Sequence, residues 1–86
     1  MRVIMYGTDI CPDCMEAKAI LKSADAIQVE FRDITTSTKT LKEFLAFRDH
    51  DPMFEPVKTA GGIGIPFFVL EDNRKTFEVD DLLKMA

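Results

Sequence analysis

Both cysteines of the chain fall in one short stretch, Cys11-Pro12-Asp13-Cys14, where an apolar run gives way to helical spacing. The run Val3 to Tyr6 stops at Gly7 and is too short for a helix, so it reads as a buried strand. From Pro12 to Ala24 the residues Cys14, Ala17, Leu21 and Ala24, with Ile20 beside them, recur at helical intervals. Glu16, Lys18 and Lys22 take the other side. A strand, a turn and a helix are thus fixed in order, with a sulfur pair at the first turn of the helix.

The remaining pattern extends this unit. Ile27, Val29 and Phe31 alternate with Gln28, Glu30 and Arg32, the period of a strand with one buried face, which completes a β-α-β unit by Ile34. Ser37, Thr38 and Thr40 are N-cap candidates for a second helix, and Thr40 with Glu43 has capping-box spacing. Leu41, Phe44, Leu45 and Phe47 supply its apolar face, and Asp51-Pro52 ends it. Met53 to Gly64 has room for one short helical turn before three glycines lead to Ile65 and Pro66. Phe67 to Leu70 reads as a strand, Glu71 to Arg74 as a turn, Lys75 to Phe77 as a short hairpin partner, and Asp80 as the cap of a last helix bearing Leu82, Leu83 and Met85. The order β-α-β-α-β-β-α implies an α/β fold with a central mixed four-stranded sheet flanked by helices.

A chain of 86 residues buries roughly two-thirds of its unfolded surface, too little to divide between two cores, so residues 1–86 are expected to form a single domain. The formal net charge of −4 opposes phosphate attraction, and no nucleic-acid partner is expected. No apolar stretch reaches the ~20 residues of a membrane span, and the first residues are too short an apolar run for a signal peptide. A cytoplasmic monomer without membrane attachment is the expectation.

A Cys-x-x-Cys where a strand enters a helix has a chemical use. The helix N-terminus directs partial positive charge and free N–H groups at the first sulfur, which makes Cys11 the expected nucleophile. Pro12 suits the first helical position. Cys14, one turn in, is the expected resolving thiol, which attacks the mixed disulfide formed on Cys11. The pair closes almost no loop and would add little as a structural staple. A zinc site would need two further ligands, and the only histidine is His50, so a metal or iron–sulfur module requires two chains sharing their Cys-x-x-Cys pairs.

Gly7-x-x-x-Cys11-Pro12-x-Cys14 between strand and helix, followed by Gly64-Ile65-Pro66-Phe67-Phe68-Val69 and a closing Asp80-Asp81-Leu82, resembles the glutaredoxin branch of the thioredoxin superfamily over nearly the whole chain. The resemblance implies a thioredoxin-like fold and a dithiol oxidoreductase that reduces protein or glutathione mixed disulfides. It also implies a cis Ile65–Pro66 peptide beside the cysteines, with the Ile65 backbone pairing with bound glutathione or protein. The substrate-contact residues so implied are Thr8, Ile10, Pro12, Asp13, Ile65, Pro66, Asp80 and Asp81. No cofactor is expected to be bound. Electrons would come from glutathione, or from a thioredoxin reductase as in the short glutaredoxin-like electron donors that the chain also resembles.

Three positions depart from the family's common pattern. Asp13 stands where Tyr is usual, Thr8 where a Lys is usual, and Phe77-Glu78 stand approximately where a Gly-Gly pair is usual. The missing Lys removes a partner for the glycine carboxylate of glutathione, while Asp80 or Asp81 remains for its γ-glutamyl ammonium. Asp9, Asp13 and Glu16 add negative charge that works against a Cys11 thiolate and an anionic tripeptide, with Lys18 the nearest counterweight in sequence. The rival activity, an arsenate-reductase-like fold, needs cations for its oxyanion and meets acids instead. Gly61-Gly62-Ile63-Gly64 lacks the lysine of a phosphate loop.

Overall fold

The structure, a computed structural model, describes residues Met1–Ala86. Strand β1 (Arg2–Gly7) leads to helix α1 (Pro12–Lys22), strand β2 (Gln28–Asp33) and helix α2 (Thr38–His50). A 3-10 turn (Pro52–Phe54) runs into α3 (Glu55–Thr59), and β3 (Phe67–Leu70), β4 (Lys75–Thr76) and α4 (Val79–Met85) complete the chain. The four strands form one sheet in the order β2-β1-β3-β4, with β1 parallel to β2 and antiparallel to β3, and β3 antiparallel to β4. This is the mixed, helix-flanked sheet expected from the pattern, in the thioredoxin-like arrangement that the resemblance implies.

Side-chain alternation divides the core into two halves. On one face Val3, Met5, Phe68 and Leu70 meet Cys14, Ala17 and Leu21 of α1 and Leu82 of α4. On the other, Tyr6, Phe67 and Val69 meet Phe44 of α2 and Phe54 of the 3-10 turn. Phe54 lies against Phe67 with ring centroids 4.8 Å apart and against Phe44 at 5.8 Å, both edge-to-face. Each such pair adds about 0.5–1.5 kcal/mol beyond the area it buries. Ile65 packs against both halves and joins them at the end of the sheet nearest α1.

Local details differ from the sequence reading where a distant partner intervenes. Ser37 is the N-cap of α2, its Oγ accepting from Thr40 N–H at 3.1 Å. The Thr40–Glu43 capping box does not form, because Glu43 accepts from Tyr6 Oη at 3.0 Å and pairs with Arg32 at 2.8 Å, tying α2 to β1 and β2. Asp80 does not cap α4. Its N-cap is Glu78, without a side-chain cap bond, and Asp81 instead accepts from Thr76 Oγ1. The 52–59 segment holds two helical pieces rather than one turn, with Asp51 accepting from Met53 N–H at its start.

Candidate active site

The strand-to-helix junction places Cys11 at the N-cap of α1, in extended backbone geometry with Pro12 as the first helical residue. Its Sγ accepts the Cys14 backbone N–H at 3.3 Å. A thiol thus occupies the position that Ser or Asp oxygen atoms usually fill at a helix start, where a free N–H converges on it. Both cysteines are free thiols, Cys11 partly exposed and Cys14 fully buried. Burial, and after it the hydrogen bond with Cys11, push the Cys14 thiol up to about 12 against the lowering effect of the Thr8 backbone. The two sulfurs are therefore distinct in access and in acidity.

Gly7 makes this packing possible. A Cβ at position 7 would stand 2.9 Å from Cys14 Sγ and 3.3 Å from Phe31. The glycine that ends β1 is thus the floor on which the second sulfur rests.

Beside the pair runs an open groove of about 620 Å³. One wall is α1, with Asp13, Glu16, Ala17 and Ile20. The opposite wall is α3 and the loop after it, with Val57, Ala60, Ile63 and Gly64, running into Ile65 and Pro66. Phe77, Glu78 and Val79 close the end. The Ile65–Pro66 peptide bond is cis. The loop wall is held from behind by Arg48, whose Nη2 and Nε donate to the carbonyls of Gly62 and Ile63 at 2.8 and 2.9 Å. Gly64 has φ +96°, and a Cβ there would come within 2.7 Å of the Phe54 ring, so only glycine fits the bend. A fully buried phenylalanine of the second core half thereby sets the course of the wall.

Of the residues implied as substrate contacts, Asp13, Ile65 and Pro66 line this groove. Thr8, Ile10, Pro12, Asp80 and Asp81 lie outside its lining. Thr8 is buried, its hydroxyl shared with that of Thr35 at 3.1 Å, so the side chain faces the protein. Asp81 is occupied by Thr76. Ile10 and Pro12 are exposed next to Cys11, and Asp80 is exposed at the start of α4. Val57, Ala60 and Val79 escaped the sequence reading. Their signal is faint: an i, i+3 apolar pair in a segment punctuated by prolines and glycines.

Charge at the site is unevenly matched. Lys18 donates to Asp9 at 3.3 Å and sits 3.9 Å above the Phe31 ring, so it is committed to those two groups. Asp13, Glu16 and Glu78 form no ion pair. His50 turns its Nδ1 onto the Ala46 carbonyl of its own helix at 2.9 Å. No group of three or more His, Cys, Asp and Glu side chains converges within the chain. No helix is long and apolar enough to cross a membrane.

A buried thiol behind an accessible one, at a helix start beside a groove, is an arrangement for passing a disulfide from substrate to protein. The family model described as Glutaredoxin matches residues 3–50 of the 86, a span that covers β1, α1 with both cysteines, β2 and α2. No curated protein and no solved structure compared with the chain matched it. With more than half its length matched and the mixed sheet in place, the chain belongs to the glutaredoxin family of thiol–disulfide oxidoreductases.

Proposed function

We propose that the protein reduces protein or glutathione mixed disulfides through a Cys11/Cys14 dithiol. The observation that carries this reading is the Cys14 N–H donated to Cys11 Sγ, with the second sulfur buried directly behind. The first sulfur, as thiolate, attacks one sulfur of the substrate disulfide, and the other substrate sulfur leaves as a thiolate. Cys14 then gives its proton to that first thiolate and attacks Cys11 Sγ. The second substrate sulfur leaves as a thiolate that takes a proton from water, so the substrate's two sulfurs end as thiols and a Cys11–Cys14 disulfide remains. Two electrons pass from protein to substrate. Two glutathione molecules, or a thioredoxin reductase using NADPH, return them.

Burial of Cys14 supports this division of labour. A thiol pushed up to about 12 stays protonated at neutral pH and does not compete as the attacking group. It becomes reactive only when the mixed disulfide brings both a leaving thiolate and an electrophilic sulfur to it. Asp13, Ile65 and Pro66 are the substrate contacts on this reading. Thr8 acts through the turn that carries Cys11, since the Cys11 N–H donates to the Thr8 carbonyl at 3.2 Å.

The test is turnover of a disulfide substrate with glutathione and its reductase, run beside thioredoxin reductase with NADPH. Turnover with either, abolished by Cys11→Ser, is the expected result. Activity that survives in Cys11→Ser overturns the assignment. The protein is proposed to work as a cytoplasmic monomer with no bound cofactor.

A further inference from the structure

The groove beside the cysteines has three carboxylates and no cation in its lining. Asp13 and Glu16 project from α1 and Glu78 stands at the closing end, all three exposed and free of ion pairs. The basic groups nearby are engaged elsewhere. Lys18 is held by Asp9 and Phe31, Lys58 pairs with Glu55 at 3.0 Å, and Arg48 spends its donors on carbonyls of the loop wall. A concave surface of one sign concentrates ligands of the other sign and repels its own. Glutathione, with two carboxylates and one ammonium, enters such a groove against its net charge.

Apolar exposure points the same way. Five large apolar side chains stand exposed in the whole molecule: Ile10, Ile20, Ile63, Leu83 and Met85. Ile20 and Ile63 both line the groove, and Ile10, 83 % exposed, precedes Cys11 directly. A tripeptide seated in the groove leaves Ile10 in water, whereas a polypeptide segment running past Cys11 reaches all three. Clustered exposed apolar groups with a charged rim are the mark of a protein contact surface.

We propose that the preferred substrate is a disulfide within a basic, partly apolar protein segment, selected by Asp13, Glu16 and Glu78 and gripped by Ile10, Ile20 and Ile63, in preference to glutathione mixed disulfides. The proposal rests on the oxidoreductase reading above. The chemical step is the same two-electron exchange, with the segment's disulfide reduced and the Cys11–Cys14 disulfide formed. Charge selection acts on encounter and binding, so it is sensitive to ionic strength, while the exchange itself is not.

The experiment follows a single turnover of pre-reduced protein, with no external reductant, against three disulfide-linked peptides. They are identical except that lysine, glutamine or glutamate flanks a Leu-Cys core, and each rate is divided by the rate with dithiothreitol to remove intrinsic reactivity. Oxidised glutathione is a fourth substrate. At low salt the lysine peptide is expected to react about tenfold faster than the glutamate peptide and faster than oxidised glutathione. The spread should shrink in 1 M salt, where the screening length is about 3 Å, and vanish in the triple variant Asp13→Asn, Glu16→Gln, Glu78→Gln. All three changes are on exposed side chains and keep their shape. Equal rates for the three peptides, or an order that persists in the triple variant, overturns the charge proposal alone. Failure of every disulfide to oxidise the protein overturns the oxidoreductase reading with it.

Discussion

The two sulfurs are separated by burial rather than by residue type, and each difference has a measurable consequence. Iodoacetamide at neutral pH should modify Cys11 and spare Cys14, as peptide mapping would read, and Cys14→Ser should stop at a stable mixed disulfide. The raised Cys14 value also fixes a sign for stability. A group whose folded value lies above its unfolded one stabilises the fold below the unfolded value, and that contribution is lost as pH rises toward the folded value. The reduced protein should therefore lose thermal stability between about pH 9 and 12, and the Cys14→Ser variant should lose less over that window. A flat profile for the reduced protein would contradict the burial of this thiol. Gly7 is the other residue that the pair requires. Gly7→Ala pushes a methyl group against Cys14 Sγ, 2.9 Å away, and should cost about 1–3 kcal/mol in denaturant unfolding.

At the scale of elements, the strands and long helices were legible because their periods are short and local. The alternation of Val29 and Phe31 and the helical spacing of Cys14, Ala17 and Leu21 need no knowledge of the fold. The second helix was legible too, with Ser37 among its cap candidates, but the failure of the Thr40–Glu43 capping box was not. Glu43 is drawn off by Tyr6, 37 residues earlier in the chain, and no local pattern reveals that competition. Ser37→Ala should accordingly lower stability by about 1 kcal/mol, while Thr40→Ala should cost measurably less. The segment after α2 was obscure because Pro52, Pro56 and the glycines mask two helical pieces whose register is set by Phe54 in the core. Its role as a groove wall depends on Arg48, which reaches it across 14 and 15 residues of sequence. Arg48→Met should raise KM for disulfide substrates while leaving the rate of Cys11 alkylation near wild type, and should speed amide exchange in residues 61–64.

For the molecule as a whole, the site is a product of convergence that one dimension conceals. The cysteine pair was visible from spacing, and Asp13, Ile65 and Pro66 could be named, but Val57, Ala60 and Val79 join them only when three elements meet at one end of the sheet. Thr8, implied as a contact by the resemblance, is buried with its hydroxyl against that of Thr35. Acid stability is likewise a property of long-range ties. The Lys75 ammonium and the Met53 N–H hold the Asp51 carboxyl below its ordinary value, and Thr35 does the same for Asp33. Groups with lowered folded values stabilise above their unfolded value, near 3.8, and that stabilisation disappears as pH falls through the folded ones. Thermal unfolding should thus move to lower temperature below about pH 4, with a shallower acid limb in Asp51→Asn.

The wall opposite α1 is anchored at its backbone and free at its surface. Arg48 grips the carbonyls of Gly62 and Ile63, and Gly64 is locked over Phe54, yet the Ile63 side chain, 58 % exposed, touches the structure little. Positions 13, 16, 63 and 78 therefore form a set that natural drift or a combinatorial library can vary without disturbing either half of the core. On the proposed reading, partner choice is evolvable at those four positions, while Gly7, Arg48, Phe54 and Gly64 are held by the packing and hydrogen bonds around them.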